Sequence, residues 1–192
     1  MTAQPAATAT PSTPVAQSQP RGGLATLIVL LVMVAVVGGG YVASNAVAGL
    51  PAQPVEVANG VIVTPYQNWE FGGRSDDGTT VLISKGDGSL AVTVNEGSDV
   101  GLALAELRDD WTSSGTVTAT EIERVTERRG GQEGFRFIYS GSFSDTPSPV
   151  EGQVIGFAGT GVVVLFDGWA AVGDYVRVQP DVAAMIDSAV IP

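Results

Sequence analysis

The sequence predicts an α+β domain, an antiparallel β-sheet flanked by helices, preceded by a single transmembrane helix. Three observations lead to this prediction. An apolar segment of about twenty residues, 24–43, precedes the domain, which is a length that spans a bilayer. The rest of the chain alternates strand-like runs with turn residues, and two further segments carry apolar residues at helical spacing. At 192 residues, the chain has room for one ordinary domain besides these flanking segments.

Residues 1–23 form a predicted cytoplasmic tail. Its first twenty residues contain no charged and no aromatic side chain. Ala, Thr, Pro, Gln and Ser bury too little apolar surface to offset the entropy lost on ordering, so we expect this tail to be disordered.

Segment 24–43 reads LATLIVLLVMVAVVGGGYVA and is the predicted transmembrane helix, which would contact membrane lipid. A helix of that length rises about 30 Å, and Tyr41 would lie near the headgroups, where amphipathic rings are favoured. A buried soluble helix fits poorly, because the segment has no polar face. An alternative is the apolar core of a signal peptide cleaved after Ala46-Val47-Ala48.

Arg21 is the only charged side chain before Glu56. The positive-inside rule therefore places the N-terminus in the cytoplasm and the folded domain outside the cell membrane. An anchored chain and a secreted chain that begins at Gly49 would both have the domain on the outer side.

A linker with two prolines, 44–55, leads into the predicted extracytoplasmic domain, 56–192. Residues 79–85 and 89–95 are strand-like runs. They are separated by Gly86-Asp87-Gly88, and an Asp-Gly pair between such runs indicates a hairpin, because its turn needs positive φ.

The next segment predicts a helix. Ser98 and Asp99 offer side-chain oxygens as N-caps, and residues 113–115 (Ser-Ser-Gly) end the helical pattern. Between these two ends, the apolar residues Val100, Leu104, Leu107 and Trp111 recur at helical spacing and form one apolar stripe.

The second half of the domain predicts four strands and a terminal helix. Residues 117–128 suit an edge strand, the aromatic residues of 135–143 recur with a period of two, and 150–158 forms the next strand. Residues 162–166 are all apolar, which predicts a strand covered on both faces by helices. Pro180 is predicted in the first turn of the last helix, whose apolar side consists of Val182, Met185, Ile186 and Ala189.

This order of elements, together with residues 60–71 (GVIVTPYQNWEF) and the ending 187–192 (DSAVIP), resembles the Mog1/PsbP-like group of α/β/α sandwich domains. The resemblance covers residues 56–192. Similar domains occur in exported proteins of high-GC Gram-positive bacteria behind a membrane or lipid anchor. An arginine-rich basic composition, with Lys85 as the only lysine, fits such a genome. A lipid-anchored form would need a cysteine after the apolar segment, and this chain has none. The resemblance implies a non-catalytic binding or assembly factor and carries over no catalytic residue.

The composition excludes several kinds of chemistry. The chain has no cysteine and no histidine, which removes disulfides, thiolate nucleophiles, imidazole bases and zinc sites of the usual kind. Ser84 and Lys85 are neighbours in a strand and point to opposite faces, so they cannot act as a dyad. The glycines of 156–161 run from strand to strand with no helix to receive a phosphate.

Two acidic pairs are candidates for general acid/base groups, Asp76-Asp77 and Asp109-Asp110. The first reads as a turn and the second as the solvated end of a helix, and neither matches a calcium loop. Trp111 closes a helix stripe and is predicted to be in the core. Trp69 and Trp169 are assigned to the core or its rim, with a groove as the alternative. We therefore predict no catalytic, cofactor-binding or metal-binding residue.

The charge distribution limits the partners. All 20 acidic residues and every basic residue except Arg21 follow residue 55, so the domain is strongly acidic and repels nucleic acid and anionic lipid. We expect no enzymatic activity. The leading hypothesis is a domain that binds an envelope protein or assists envelope assembly, and the alternative is a carrier of a small apolar or cell-wall ligand. An enzyme that uses a carboxylate pair is the third hypothesis.

Overall fold

The computed structural model describes residues 53–126, 132–144 and 146–192. The predicted tail, the predicted transmembrane helix and residues 44–52 of the linker lie outside these ranges. No helix in the described part of the chain is long and apolar enough to cross a membrane. The elements in chain order are β1 (Val55–Glu56), β2 (Ile62–Val63), β3 (Glu70–Arg74), β4 (Thr80–Lys85), β5 (Gly88–Glu96), α1 (Val100–Ser113), β6 (Val117–Ala119), β7 (Glu123–Val125), β8 (Gly134–Gly141), β9 (Val150–Ala158), β10 (Val162–Ala171) and α2 (Tyr175–Ser188).

One antiparallel sheet organises the domain. Its strands follow the order β3-β4-β5-β10-β9-β8-β6, and β7 also pairs with β8. The predicted edge strand of 117–128 is therefore split into two short strands on the same side of β8. At the opposite edge, the β3–β4 register shifts between Phe71 and Gly73. The hairpin β1–β2 lies outside this sheet and is bridged to Val190 near the chain end.

A helix covers each face of the sheet. Helix α2 and the β1–β2 hairpin bury one face, and α1 packs on the other. Residues 162–170 of the central strand β10 are all buried, as expected for a strand covered on both sides. The structure thus confirms an antiparallel sheet flanked by two helices.

Local signals account for α1 and for the first hairpin. The Asp99 carboxylate accepts a hydrogen bond from the backbone N–H of Leu102 at 2.9 Å and caps α1 as predicted. Lys85 pairs with Gly88, so the two turn residues are Gly86 and Asp87. The positive φ falls on Gly86, at 56°, and not on the Asp-Gly pair.

The position of Pro180 corrects the sequence-based prediction. Helix α2 begins at Tyr175, and Pro180 lies inside it rather than in its first turn. Gly173, with a φ of 88°, lies in the turn between β10 and α2, and Tyr175, the first residue of α2, is buried. Burial of Tyr175 and partial burial of Val178 at this end of the helix offset the backbone hydrogen bond that proline cannot donate.

Candidate functional site

A groove lies beside α1 because this helix does not cover the whole sheet. Its main contacts are with β6, β8, β9 and β10, which leaves the same face of β4 and β5 without a helix above it. The open space beside α1 has a volume of about 1330 Å³. Two small side chains on β5, Ala91 and Thr93, line it. We call this space the groove.

The floor and the wall of the groove are mostly apolar. The apolar floor residues are Ala91, Val154, Val163, Leu165 and Trp169, and the apolar wall residues on α1 are Leu102, Ala103, Leu107 and Trp111. Trp111 packs edge to face against Phe137, Tyr139 and Phe143, with ring centroids 5.9, 4.8 and 5.2 Å away. Such packing fixes the ring, so this wall is preformed.

The tryptophans divide between the two faces. Trp111 is in the core, as predicted. Trp169 is 8% exposed and also lines the groove, so it combines the two roles that the sequence left open. Trp69 belongs to the core on the α2 side, where its Nε1 donates a hydrogen bond to Oδ2 of Asp181 at 2.9 Å.

Acidic side chains surround the opening. We call them the acidic rim, and they are Asp77, Glu96, Asp99, Glu106, Asp109 and Asp110. No lysine or arginine is among the described residues that line the groove.

Several members of the acidic rim already have partners. Asp109 pairs with Arg108 at 3.1 Å, and Asp77 accepts hydrogen bonds from Ser75 and Thr79, which hold the pKa of its carboxyl below the usual value. Asp99 caps α1. Glu96, Glu106 and Asp110 pair with no cation in the described ranges, so the opening attracts positive charge.

One carboxyl group lies in the floor itself. Asp167 of β10 is in register between Ala91 of β5 and Val154 of β9, at the centre of the sheet, and is only 7% exposed. The Tyr139 hydroxyl donates a hydrogen bond to its Oδ1 at 2.8 Å. Its Oδ2 is buried and has no hydrogen-bond partner among the described residues. Burial raises the pKa of Asp167 to about 7, although the hydrogen bond from Tyr139 acts in the opposite direction.

Gly152 allows Tyr139 to reach Asp167 across β9. It lies opposite both Tyr139 and Trp169 in the sheet. A Cβ atom on Gly152 would come within 2.9 Å of the Tyr139 hydroxyl oxygen and within 2.3 Å of the Gly168 carbonyl oxygen. Burial raises the pKa of Tyr139 well above its ordinary value, with further contributions from Asp167 and from Tyr175 on α2. Tyr139 therefore stays protonated and acts as a fixed donor.

The residues weighed from sequence lie apart from this carboxyl group. Lys85 pairs with Asp181 of α2 at 3.0 Å, while the side chain of Ser84 lies near Gly72 on the other face, so the two point apart as predicted. Asp76 and Asp77 belong to a turn in which Gly78 has a φ of 75°.

Asp109 and Asp110 are exposed on α1, and the glycines of 156–161 connect β9 to β10. Both features match their predicted structural roles. No group of three or more acidic side chains within 53–126, 132–144 and 146–192 could hold a metal ion.

Asp167 was missed by the sequence analysis. The apolar run of 162–166 predicts a buried strand, but the strand continues through Asp167 to Ala171. A charged residue inside a strand that is buried on both faces is a usable signal, because an acid almost never occupies such a position without a partner. Among the described residues it is the only acid in the buried core.

A second, shallower cleft of about 430 Å³ lies between β6, β8 and the start of α2. Its lining includes two exposed apolar residues, Ile138 and Val176, and one carboxylate, Glu151. The Glu151 carboxylate already accepts a hydrogen bond from the Gly173 backbone N–H. This cleft therefore offers weaker recognition than the groove.

Comparison with known proteins identifies the fold. No family model and no curated protein matches the sequence. The solution structure of cyanobacterial PsbP (CyanoP) from Synechocystis sp. PCC 6803 is similar, with a TM-score of 0.55 and 14% identity over 79% of this chain and 99% of that one. LpqN of Mycobacterium tuberculosis, described as involved in cell envelope biogenesis, gives a TM-score of 0.44 and 15% identity over 75% and 87% of the two chains. From the first similarity, the described domain has a PsbP-like fold.

Proposed function

We propose that this chain is a single-pass membrane protein whose extracytoplasmic domain is a non-catalytic binding module, and that the groove is its binding site. The groove is the observation that carries the proposal. Small-molecule sites in proteins are concave spaces of about 300–1,000 Å³, lined mainly by apolar side chains with a few polar groups. The groove has that lining and is somewhat larger and open on one side.

The proposal favours the carrier over a purely structural domain. A filled space between α1 and the sheet would have left only the outer surface for recognition. Instead, Trp111, Trp169 and Leu107 face an open volume. An amphiphilic molecule would bury its apolar part there and gain about 25 cal/mol for each Å² removed from water.

A binding role fits Asp167 better than a catalytic role does. Acid/base catalysis by carboxylates uses two groups with different pKa values facing one substrate. Asp167 is the only buried acid of the described residues, and the acidic rim is exposed to solvent. A single buried carboxyl group orients a ligand without needing a second one.

Binding of an envelope protein remains a second expectation, which rests on the sequence and its predicted anchor. Crosslinking in native membranes followed by mass spectrometry would recover specific envelope proteins if it is correct. Recovery of peptides from this chain only would count against it.

The groove can be tested by filling it. Ala103 lies in the groove wall on α1, and Ala105 lies on the same helix outside the lining. Full-length chain carrying Ala103→Phe or Ala105→Phe would be purified from native membranes beside the wild type, and bound small molecules identified by mass spectrometry. We expect a molecule to be retained by the wild type and Ala105→Phe and lost from Ala103→Phe. Equal retention by both variants would remove the groove as the site.

A further inference from the structure

We propose that the groove selects an amphiphilic organic amine, whose ammonium group binds Oδ2 of Asp167 while its apolar body lies against α1. This inference rests on the proposed function and names the class of ligand for the same site. It is carried by the carboxyl group in the floor, the charge around the opening and the aromatic residue beside the carboxyl group.

The floor carboxyl group lacks one donor. Oδ1 of Asp167 is occupied by the Tyr139 hydroxyl, and Oδ2 has no partner in the described part of the chain. A buried carboxylate without a full set of donors is costly, and a charged donor is the partner that offsets this cost best. Asp167 lines the groove, but its Oδ2 is covered in this structure, so a ligand in the groove would supply that donor after a small rotation of the carboxyl group.

The charge around the opening selects the sign of the ligand. The acidic rim presents carboxylates, and no described lining residue is basic. Clefts lined by one sign of charge concentrate ligands of the opposite sign and speed their association. An anionic amphiphile would meet repulsion at the rim and again at Asp167.

The aromatic neighbour favours an ammonium group over a neutral donor. Trp169 is two residues beyond Asp167 on β10, so both side chains belong to the same face of the strand, and both line the groove. A cation near the face of a tryptophan ring is stabilised by the ring electrons. A neutral alcohol could donate to Oδ2 but would gain neither the ion pair nor this contact.

The test compares ligands of one shape. Full-length chain in lipid nanodiscs would be titrated in a calorimeter with 1-naphthylmethylamine, 1-naphthylmethanol and 1-naphthoic acid, with empty nanodiscs as the blank. We expect the amine to bind at least tenfold more tightly than the alcohol, and the acid more weakly than both. We also expect the amine to release a proton from Asp167 at pH 6–7, seen as a dependence of the heat on the buffer.

Matched variants identify the residue. Asp167→Asn should lower amine affinity at least tenfold, leave alcohol affinity within twofold and abolish the proton release. Asp110→Asn, in the acidic rim, should lower amine affinity less than threefold. Ala103→Phe should block both ligands in the wild-type background, which keeps the test valid if Asp167→Asn folds poorly.

The outcomes separate the two proposals. If the alcohol binds as tightly as the amine and no proton is released, the amine inference is wrong while the groove remains a binding site. Absence of binding by all three naphthyl compounds would overturn both. Binding that survives Ala103→Phe would place the ligand elsewhere and would also overturn both.

Discussion

Asp167→Asn should change how the stability of the domain depends on pH. Asparagine keeps a side-chain oxygen that can accept the Tyr139 hydroxyl and removes the group that titrates. In the folded wild type the pKa of Asp167 is about 7, against an ordinary value of 3.8. The folded state therefore holds a proton over this interval that the unfolded chain releases. This contribution to stability is fully present below about pH 4 and is lost as the pH rises to about 7.

The size of this pH-dependent change in stability follows from the difference between the folded and the unfolded pKa of Asp167. Each pKa unit corresponds to about 1.4 kcal/mol, and pH 5 lies about two units below the folded pKa. Between pH 5 and pH 8, the wild type should lose about 2.5 kcal/mol of unfolding free energy relative to Asp167→Asn. For a domain of this size, that is a shift of roughly 8–10 °C in the difference between their melting temperatures.

The assay is urea unfolding of the full chain in micelles of a neutral detergent, followed by tryptophan fluorescence. All three tryptophans of the chain, Trp69, Trp111 and Trp169, lie in the described domain and report on it alone. Asp110→Asn serves as the control, because it removes an exposed carboxyl group of the acidic rim and leaves the floor unchanged. If the gap between wild type and Asp167→Asn is the same at pH 5 and pH 8 to within about 0.5 kcal/mol, the carboxyl group is solvated and the reasoning about the groove floor is wrong.

Three further predictions concern the packing of α1, the hydrogen bond in the floor and the anchor. Gly156→Ala should destabilise the domain by about 1–3 kcal/mol, because its Cβ would lie 2.5 Å from the Val100 side chain on α1. Gly101→Ala, whose Cβ would have no neighbouring side-chain atom nearer than 3.5 Å, should stabilise it by about 0.5–1 kcal/mol. A thermal melt of each variant checks the opposite signs, and equal losses of stability would contradict the packing of α1. Tyr139→Phe removes the hydrogen bond that lowers the pKa of Asp167, so the pH at which stability is lost should move above 7 in the same urea assay. If the midpoint of this pH-dependent loss is unchanged, the hydrogen bond does not form. Val32→Arg should cost about 3 kcal/mol of membrane insertion, so that an alkaline wash releases the variant from the membrane fraction. A soluble wild-type chain that begins at Gly49 would instead show that the segment is a cleaved signal peptide.

Much of the fold could be predicted because its signals are local. The N-cap at Asp99, the stripe from Val100 to Trp111 and the hairpin around Gly86 each need only a few consecutive residues. The all-apolar composition of residues 162–166 was enough to predict a buried strand. These patterns were sufficient for an antiparallel sheet with a helix on each side.

The groove could not be predicted because it depends on which strands α1 covers. That choice depends on where glycines such as Gly156 allow close approach to β9, which no local pattern records. The environment of the Asp167 carboxyl group likewise depends on Tyr139, which is 28 residues away and whose hydroxyl reaches Oδ1 only across Gly152. The early start of α2 had the same origin, since burial of Tyr175 outweighed the local preference of Pro180.

Both edges of the sheet are irregular, and this has a consequence for a domain that we propose is tethered to a membrane. Molecules confined to a surface meet at high effective concentration, and an eight-stranded sheet with straight open edges would extend from one copy to the next. At one edge the bulge at Phe71 breaks the regular spacing of hydrogen-bonding groups, and at the other the interruption between β6 and β7 leaves only short paired stretches. Crowded copies therefore find little regular backbone at these edges with which to extend the sheet.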